Sequence, residues 1–259
     1  MNYANTKLKL YSNKANSKGK LKMHNITEKE RERKEKEFWI NSKSESPQAD
    51  SIENIINKIG DCEIFIDIVR NYSRYFEHNG SVLELGGGQG WASCILKKLY
   101  PSLKVTLTDI SEHAIQSLYK WEHIFNVKID NSYSCAAYDI KEVDSSIDII
   151  FCFAAAHHFT NLPMAIKEIR RVLKPNAHCF FFYEPTCNSF FYKFAYHRVN
   201  KKRPDVPEDV LIHKNIRKLA ESNGLKVEID LYPSLTKRKP IETLYYFTLR
   251  KFPFQQKVF

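Results

Sequence analysis

Residues 82–93 read "VLELGGGQGWAS" and hold Gly86, Gly87, Gly88 and Gly90, four of the eight glycines in a chain of 259 residues. Glycine at this density costs conformational entropy, so the fold must need bare backbone here. The stretch follows the apolar run "SVLELG" at 81–86 and precedes the helical pattern "WASCILKKLY" at 91–100. A strand, a glycine turn and a helix in that order form a βα unit. Its helix presents unpaired N–H groups to whatever lies against the loop.

Outward from this unit the pattern alternates. "KVTLTDI" (104–110) reads as a strand, and "SEHAIQSLYKWEHIF" (111–125) as a helix with Ser111 as its N-cap. "IDNSYSCAAYD" (129–139) holds a third strand, and "IDIIFCFAAA" (147–156) is a near-continuous apolar strand. Pro163 starts a helix over "PMAIKEIRRVLK" (163–174), stopped by Pro175, and "HCFFFYEP" (178–185) is the fifth strand. "EDVLIHKNIRKLAESNG" (208–224) reads as a helix ended by Gly224. "KVEIDLYP" (226–233) and "ETLYYFTLRK" (242–251) read as two antiparallel closing strands. The expected fold class is α/β, a doubly wound, seven-stranded, mostly parallel sheet behind an N-terminal helical extension.

That extension begins with a polar tail over 1–24. A charged run of alternating sign, "TEKERERKEKEFWI" (27–40), follows and reads as a solvated helix opened by capping-box spacing at Thr27 and Glu30. Two apolar stripes come next, Ile52, Ile55, Ile56, Ile59 and then Phe65, Ile68, Val69, Tyr72, so three helices are expected before residue 80. The expected division is a tail over 1–24, a helical cap over 25–79 and a catalytic domain over 80–259. Within the last, 186–208 is a substrate-cap insertion rich in aromatic and basic residues.

Composition bounds the function classes. The formal charge is +10, and six lysines with no acid fall within residues 1–22. Such a tail attracts nucleic acid or acidic surfaces, or is simply solvated. No apolar run reaches the ~18–20 residues of a membrane span, and no secretory leader is visible, so a cytoplasmic protein is expected. The six cysteines lack zinc spacing and three lie inside apolar runs, so neither disulfides nor a metal site are expected.

The glycine spacing separates two ligand types. A dinucleotide fingerprint, G-x-G-x-x-G, would put its third glycine at Trp91 or Ser93, and both positions fail. The spacing that fits is acid-x-G-x-G-x-G, at Glu84, Gly86, Gly88 and Gly90. With "TLTDIS", "AAYDI", "IDIIFCFAAAHHF" and "MAIKEIRRVLKPNAHCFFFYEP" in order after it, residues 80–185 resemble the class I S-adenosylmethionine-dependent methyltransferases of the small-molecule type. The resemblance implies a cofactor, S-adenosyl-L-methionine, held by Glu84, Gly86, Gly88, Gly90, Asp109, Ile110, Asp139, Ile140 and Phe153. Asp109 is suited to accept from the ribose hydroxyls, and Asp139 from the adenine amino group.

The residues suited to proton transfer are His158 and His157, after the fourth strand, and Glu184, after the fifth. Against the resembling enzymes, the chain lacks the Asx-Pro-Pro-aromatic loop of nucleobase amino methylation and a Pro-Cys pair for cytosine attack. It also lacks an acid ending the fourth strand to hold magnesium. The expected reaction is methyl transfer to a small-molecule or glycan-linked acceptor, at oxygen. RNA methylation and a catalytically inactive cofactor-binding partner subunit are the alternatives. Neither the acceptor nor the oligomeric state is legible.

Overall fold

In the computed structural model the described residues are 27–42, 46, 51–201 and 208–230. Five parallel strands form one sheet: β1 (Ser81–Leu85), β2 (Lys104–Asp109), β3 (Asn131–Ser134), β4 (Ile147–Phe153) and β5 (Leu173–Phe182). Their order is β3-β2-β1-β4-β5, so the winding reverses between β1 and β4. Ligands in such sheets sit beyond the carboxyl ends of the strands at that reversal. The glycine loop leaves β1 there, and the loop carrying His157 and His158 leaves β4 beside it.

The helices follow from capping and apolar spacing. These are α3 (Trp91–Leu99), α4 (Glu112–Ile115), α5 (Leu118–Phe125) and α6 (Leu162–Val172). Ser111 caps α4 by accepting from Ala114 N–H at 3.2 Å, and Asn161 caps α6 by accepting from Met164 N–H at 3.2 Å. The helix expected over 111–125 is broken in two near Ser117, whose hydroxyl donates to the Ala114 carbonyl at 2.6 Å. A Ser hydroxyl that turns back on the backbone competes with helix continuation.

Two apolar cores flank the sheet. One gathers Phe65, Val69, Phe76, Trp91, Phe151 and Phe182 between the helix α2 (Ile52–Asn71), α3 and the sheet. The other packs Leu83, Leu85, Ile150, Ile166, Ile169 and Val172 under α6.

Three expectations need correction. The two N-terminal apolar stripes lie on one helix, α2 (Ile52–Asn71), beside the charged helix α1 (Glu28–Asn41), so two helices stand where three are expected. Only the second stripe reaches the core. Ile52, Ile55, Ile56 and Ile59 are each more than half exposed, while Ile64, Phe65, Ile68 and Val69 pack in the core.

The sheet has five strands among the described residues. Residues 225–230 form no strand, and 242–251 lie outside the described residues. Finally, the helix expected from residue 208 begins only at α8 (His213–Glu221). Leu211 and Ile212 (β7) instead pair in parallel with Thr186 and Cys187 (β6). Between β6 and β7 lie a 3-10 turn, Ser189–Phe191, and α7 (Tyr192–Asn200). Among the described residues no helix is long and apolar enough to cross a membrane.

Candidate active site

A cavity of about 400 Å³ opens at the reversal point. Its wall includes Gly86, Gly88, Asp109 and Ile110 on one side and Phe153, His157 and His158 on the other.

The glycine loop is shaped by close approach from two directions. Gly86 has φ +68°, and a Cβ there would stand 2.9 Å from the Ala155 Cβ, so the two loops touch through bare backbone. Gly88 has φ +54°, and a Cβ would stand 2.7 Å from the Trp39 ring, which α1 lays over the loop. An L side chain at either place is both strained and blocked. Gly90 begins α3 against Leu107 and Leu118, outside the cavity wall.

Asp109, at the end of β2, is almost wholly buried. Its Oδ2 accepts from Gly88 N–H at 2.9 Å and its Oδ1 from Ser111 N–H at 2.7 Å. An ionised carboxylate has about four acceptor directions, so two remain, and Asp109 forms part of the cavity wall. That is the donor-accepting geometry a ribose diol needs. Burial pushes its carboxyl up to about 6, against the two N–H groups that favour the charge.

Glu84 also borders the cavity, yet it turns back to Ser93 in the first turn of α3, accepting from its N–H at 3.1 Å and from its hydroxyl. Burial raises Glu84 to about 7, the Ser93 hydrogen bonds opposing.

Asp139 and Ile140 are not brought to the cavity. Asp139 is exposed, and the Ile140 side chain packs in the core while its N–H donates to Glu168 at 3.2 Å. Ala136, Ala137 and Tyr138, from the same loop, line the cavity instead. Short or flat residues allow a planar base to approach; periodicity alone did not distinguish them from their neighbours.

Glu184 does not face the cavity. Its buried carboxylate clamps the loop after β4: Oε1 accepts from Ala155 N–H and Ala156 N–H, both at 2.8 Å, and Oε2 from His157 N–H at 3.2 Å. The same Oε2 meets His157 Nδ1 at 2.8 Å. Burial would raise Glu184, but His157 and these N–H groups hold it below its ordinary value. An ionised carboxylate only accepts, so His157 donates from Nδ1, which turns Nε2 away from Glu184.

His157 Nε2 lies 3.7 Å from Glu208, and His158 lies 3.4 Å from Glu35 through Nδ1 and 4.0 Å from Glu208 through Nε2. Burial lowers the His158 imidazole, but Glu35 and Glu208 outweigh it, and the net shift is upward.

The charged helix α1 turns out to be a wall. Glu28 accepts from Asn161 at 3.5 Å, and Glu32 accepts from Thr160 at 3.3 Å and from the Tyr138 hydroxyl. Glu35 meets His158, and Trp39 covers Gly88. These four positions follow i, i+4, i+7, i+11, one face of a helix. The spacing was present in the sequence but masked by alternating charge, which reads as solvation. Glu35, Asp61 and Lys58 are among the wall residues to which the sequence alone gives no role.

Residues 83–181 match the family model described as methyltransferase domain. No curated protein sequence matches the chain. Among solved structures, the YcgJ protein of Bacillus subtilis is similar at 19% identity with a TM-score of 0.55, covering 73% of this chain and 83% of that one. An S-adenosylmethionine-dependent methyltransferase of Aquifex aeolicus is similar at 19% identity and TM-score 0.52, covering 68% and 89%. Phosphoethanolamine N-methyltransferase 2 of Haemonchus contortus, solved with phosphomonomethylethanolamine and S-adenosylhomocysteine, is similar at 17% identity and TM-score 0.58. That match covers 84% of this chain and 52% of the other.

Proposed function

We propose that the chain is a class I S-adenosylmethionine-dependent methyltransferase, a reading supported by the methyltransferase-domain match over residues 83–181, and that it methylates an oxygen of a small-molecule or glycan-linked acceptor. The observation that carries this reading is the His157–His158 pair on the cavity wall, with His157 oriented by a buried ionised carboxylate. A hydroxyl must lose a proton to become a nucleophile, and an imidazole held in one tautomer is suited to take it.

S-adenosylmethionine, when bound, supplies an activated methyl on a positively charged sulfur. The residues suited to hold it are Asp109 for the ribose, Ile110 and the 136–138 backbone for the base, and the glycine loop for the remainder. Phe153 would close its apolar side. The His157 Nε2 lone pair would take the acceptor proton, while Glu184 acts as a positioning residue through Nδ1. Holding acceptor and methyl in line supplies about 7–11 kcal/mol of the barrier. We assign the N-terminal helices the role of cap over the cofactor, and residues 186–208 that of acceptor cover.

One second reading has specific support. Glu35, Asp61 and Glu208 border the cavity together with Phe38, Trp39 and Tyr138. Carboxylates and aromatic faces also suit a cationic amine, and the similar Haemonchus enzyme is named as an N-methyltransferase. RNA methylation rests on the basic residues 1–22, which lie outside the described residues.

The deciding experiment offers labelled cofactor with panels of hydroxyl, glycan and amine acceptors, and locates the methyl by tandem mass spectrometry. An O-methyl product supports the proposal; a product labelled only at nitrogen refutes it.

A further inference from the structure

We propose that His157, His158 and Glu208 form a binding site for one divalent transition-metal ion, which takes the acceptor's hydroxyl oxygen as a further ligand; the second half of this statement rests on the oxygen-methylation reading above. Nothing in the spacing of the sequence announces such a site, because Glu208 lies fifty residues beyond the histidines and reaches them only through the fold.

One donor atom from each of the three residues lies within 4.8 Å of the other two. The closest approaches are 3.7 Å from His157 Nε2 to Glu208 Oε2 and 4.0 Å from His158 Nε2 to Glu208 Oε1. Four-coordinate ions with bonds of about 2.1 Å hold their ligand atoms roughly 3.4 Å apart. Closure therefore requires the donor atoms to draw together by up to about 1.4 Å, within the reach of side-chain rotation.

The surroundings have the form that metal-binding histidines require. Such a histidine donates its other ring N–H to a carboxylate, which fixes the ring and turns the lone pair toward the ion. His157 Nδ1 meets Glu184 at 2.8 Å, and His158 Nδ1 meets Glu35 at 3.4 Å. Glu184 is itself fixed by the backbone N–H groups of Ala155, Ala156 and His157.

Glu208 is held as firmly. Its N–H donates to Asn200 Oδ1 at 2.7 Å, and its carbonyl accepts from Asn200 Nδ2 at 2.8 Å. The end of α7 thus carries Glu208 to the histidines in a set register. Asp209 N–H, donating to the His157 carbonyl at 3.4 Å, ties the same segment to the loop after β4.

Charge argues the same way. Glu35, Glu184 and Glu208 surround two imidazoles. Three carboxylates around two ring nitrogens are a donor set of the kind that binds cations.

Two imidazole nitrogens and one carboxylate oxygen suit zinc, iron, cobalt, nickel or manganese better than magnesium or calcium. Three protein ligands leave a position open, as catalytic sites do. All three ligand residues line the cavity, so the open position faces the acceptor space. An oxygen bound to a divalent ion gives up its proton more readily. With the His157 Nε2 lone pair on the ion, the acceptor proton would pass to Glu35 instead of to His157, Glu35 being a carboxylate of the cavity wall outside the ligand set.

The test titrates cobalt(II) alone into chelator-treated full-length protein, following visible absorption and calorimetry. We expect one ion per chain, with affinity about a hundredfold or more weaker in both Glu208→Gln and His158→Ala. Glu184→Gln should weaken it by ~10–100-fold through His157. Cofactor binding and thermal unfolding in each variant verify an intact fold.

No 1:1 complex, or equal cobalt affinity in wild type and both ligand variants, overturns the site. Full methyl transfer to a hydroxyl acceptor by chelator-treated protein would overturn the catalytic half and leave oxygen methylation standing. A 1:1 complex with a nitrogen-methylated product would do the reverse.

Discussion

The sharpest test of the cofactor cradle is Asp109→Asn. In the native chain Asp109 accepts from Gly88 N–H at 2.9 Å and Ser111 N–H at 2.7 Å. Its carboxyl is raised from 3.8 to about 6. At about 1.36 kcal/mol for each tenfold step in the proton equilibrium, that rise means the ionised form costs the fold about 3 kcal/mol at neutral pH. The sign follows from linkage: the folded state holds this proton more tightly than the unfolded one. Its stabilising effect is thus fully present below pH 4 and is lost as pH rises through about 6.

Asparagine is neutral and relieves that cost, but its NH2 cannot accept. One buried N–H loses its partner, at about 1–3 kcal/mol. The two effects nearly offset, so denaturant unfolding at pH 7.5 should move by no more than about 2 kcal/mol either way. Cofactor affinity has no such compensation. Losing a charge-assisted acceptor should weaken binding by about 2–3 kcal/mol, or roughly 30–150-fold, in calorimetry.

The wild type should itself bind about tenfold less tightly at pH 5 than at pH 7.5, because Asp109 is then mostly protonated. Equal affinity in Asp109→Asn and wild type at pH 7.5, with the fold intact, would refute the ribose assignment.

Other outcomes follow from the same geometry. Gly88→Ala should be destabilised by about 1–2 kcal/mol from its left-handed φ alone, and should also displace Trp39, read as increased indole quenching by acrylamide. Glu184→Gln should lower turnover by 10²–10⁴-fold, the range of general-base catalysis, with acceptor KM little changed; an unchanged kcat would remove Glu184 as the orienting group. If His158 serves as the base, turnover should rise with pH through a midpoint above 6.5, because Glu35 and Glu208 hold its proton; a midpoint below 6.5 would contradict the carboxylate contacts. Glu32→Ala removes the acceptor of Tyr138 and Thr160, and α1 buries no residue; hydrogen exchange in α1 should accelerate by about 5–150-fold, since each of the two lost bonds is worth about 0.5–1.5 kcal/mol.

The α/β class, the parallel strands and the location of the site were legible because they rest on local pattern. Apolar runs of strand length alternate with capped helices, and the acid-x-G-x-G-x-G spacing marks the turn after β1. The place of Asp109 at the end of the second strand was readable for the same reason.

What stayed hidden depends on which surfaces meet. Glu32 and Glu35 carry the spacing of one helix face, but a charged face reads as solvated until a partner is seen against it. Glu184 reads as a proton-transfer group, while packing turns it inward to clamp the His157 loop. Asp139 is the right residue type in the right loop, and the Asp139 N–H bond to Ala136 leaves its side chain facing solvent. Ile52, Ile55, Ile56 and Ile59 form as good a stripe as the one that is buried, yet only the other half of α2 packs in the core.

The amino-acid order alone determined the alternation of elements and the bare turn between β1 and α3, because hydrogen bonding and chirality act between near neighbours. Only the tertiary structure decided that Glu208 and Glu35 approach the two histidines. Contacts between distant residues depend on how whole faces pack, and no short stretch of chain encodes that.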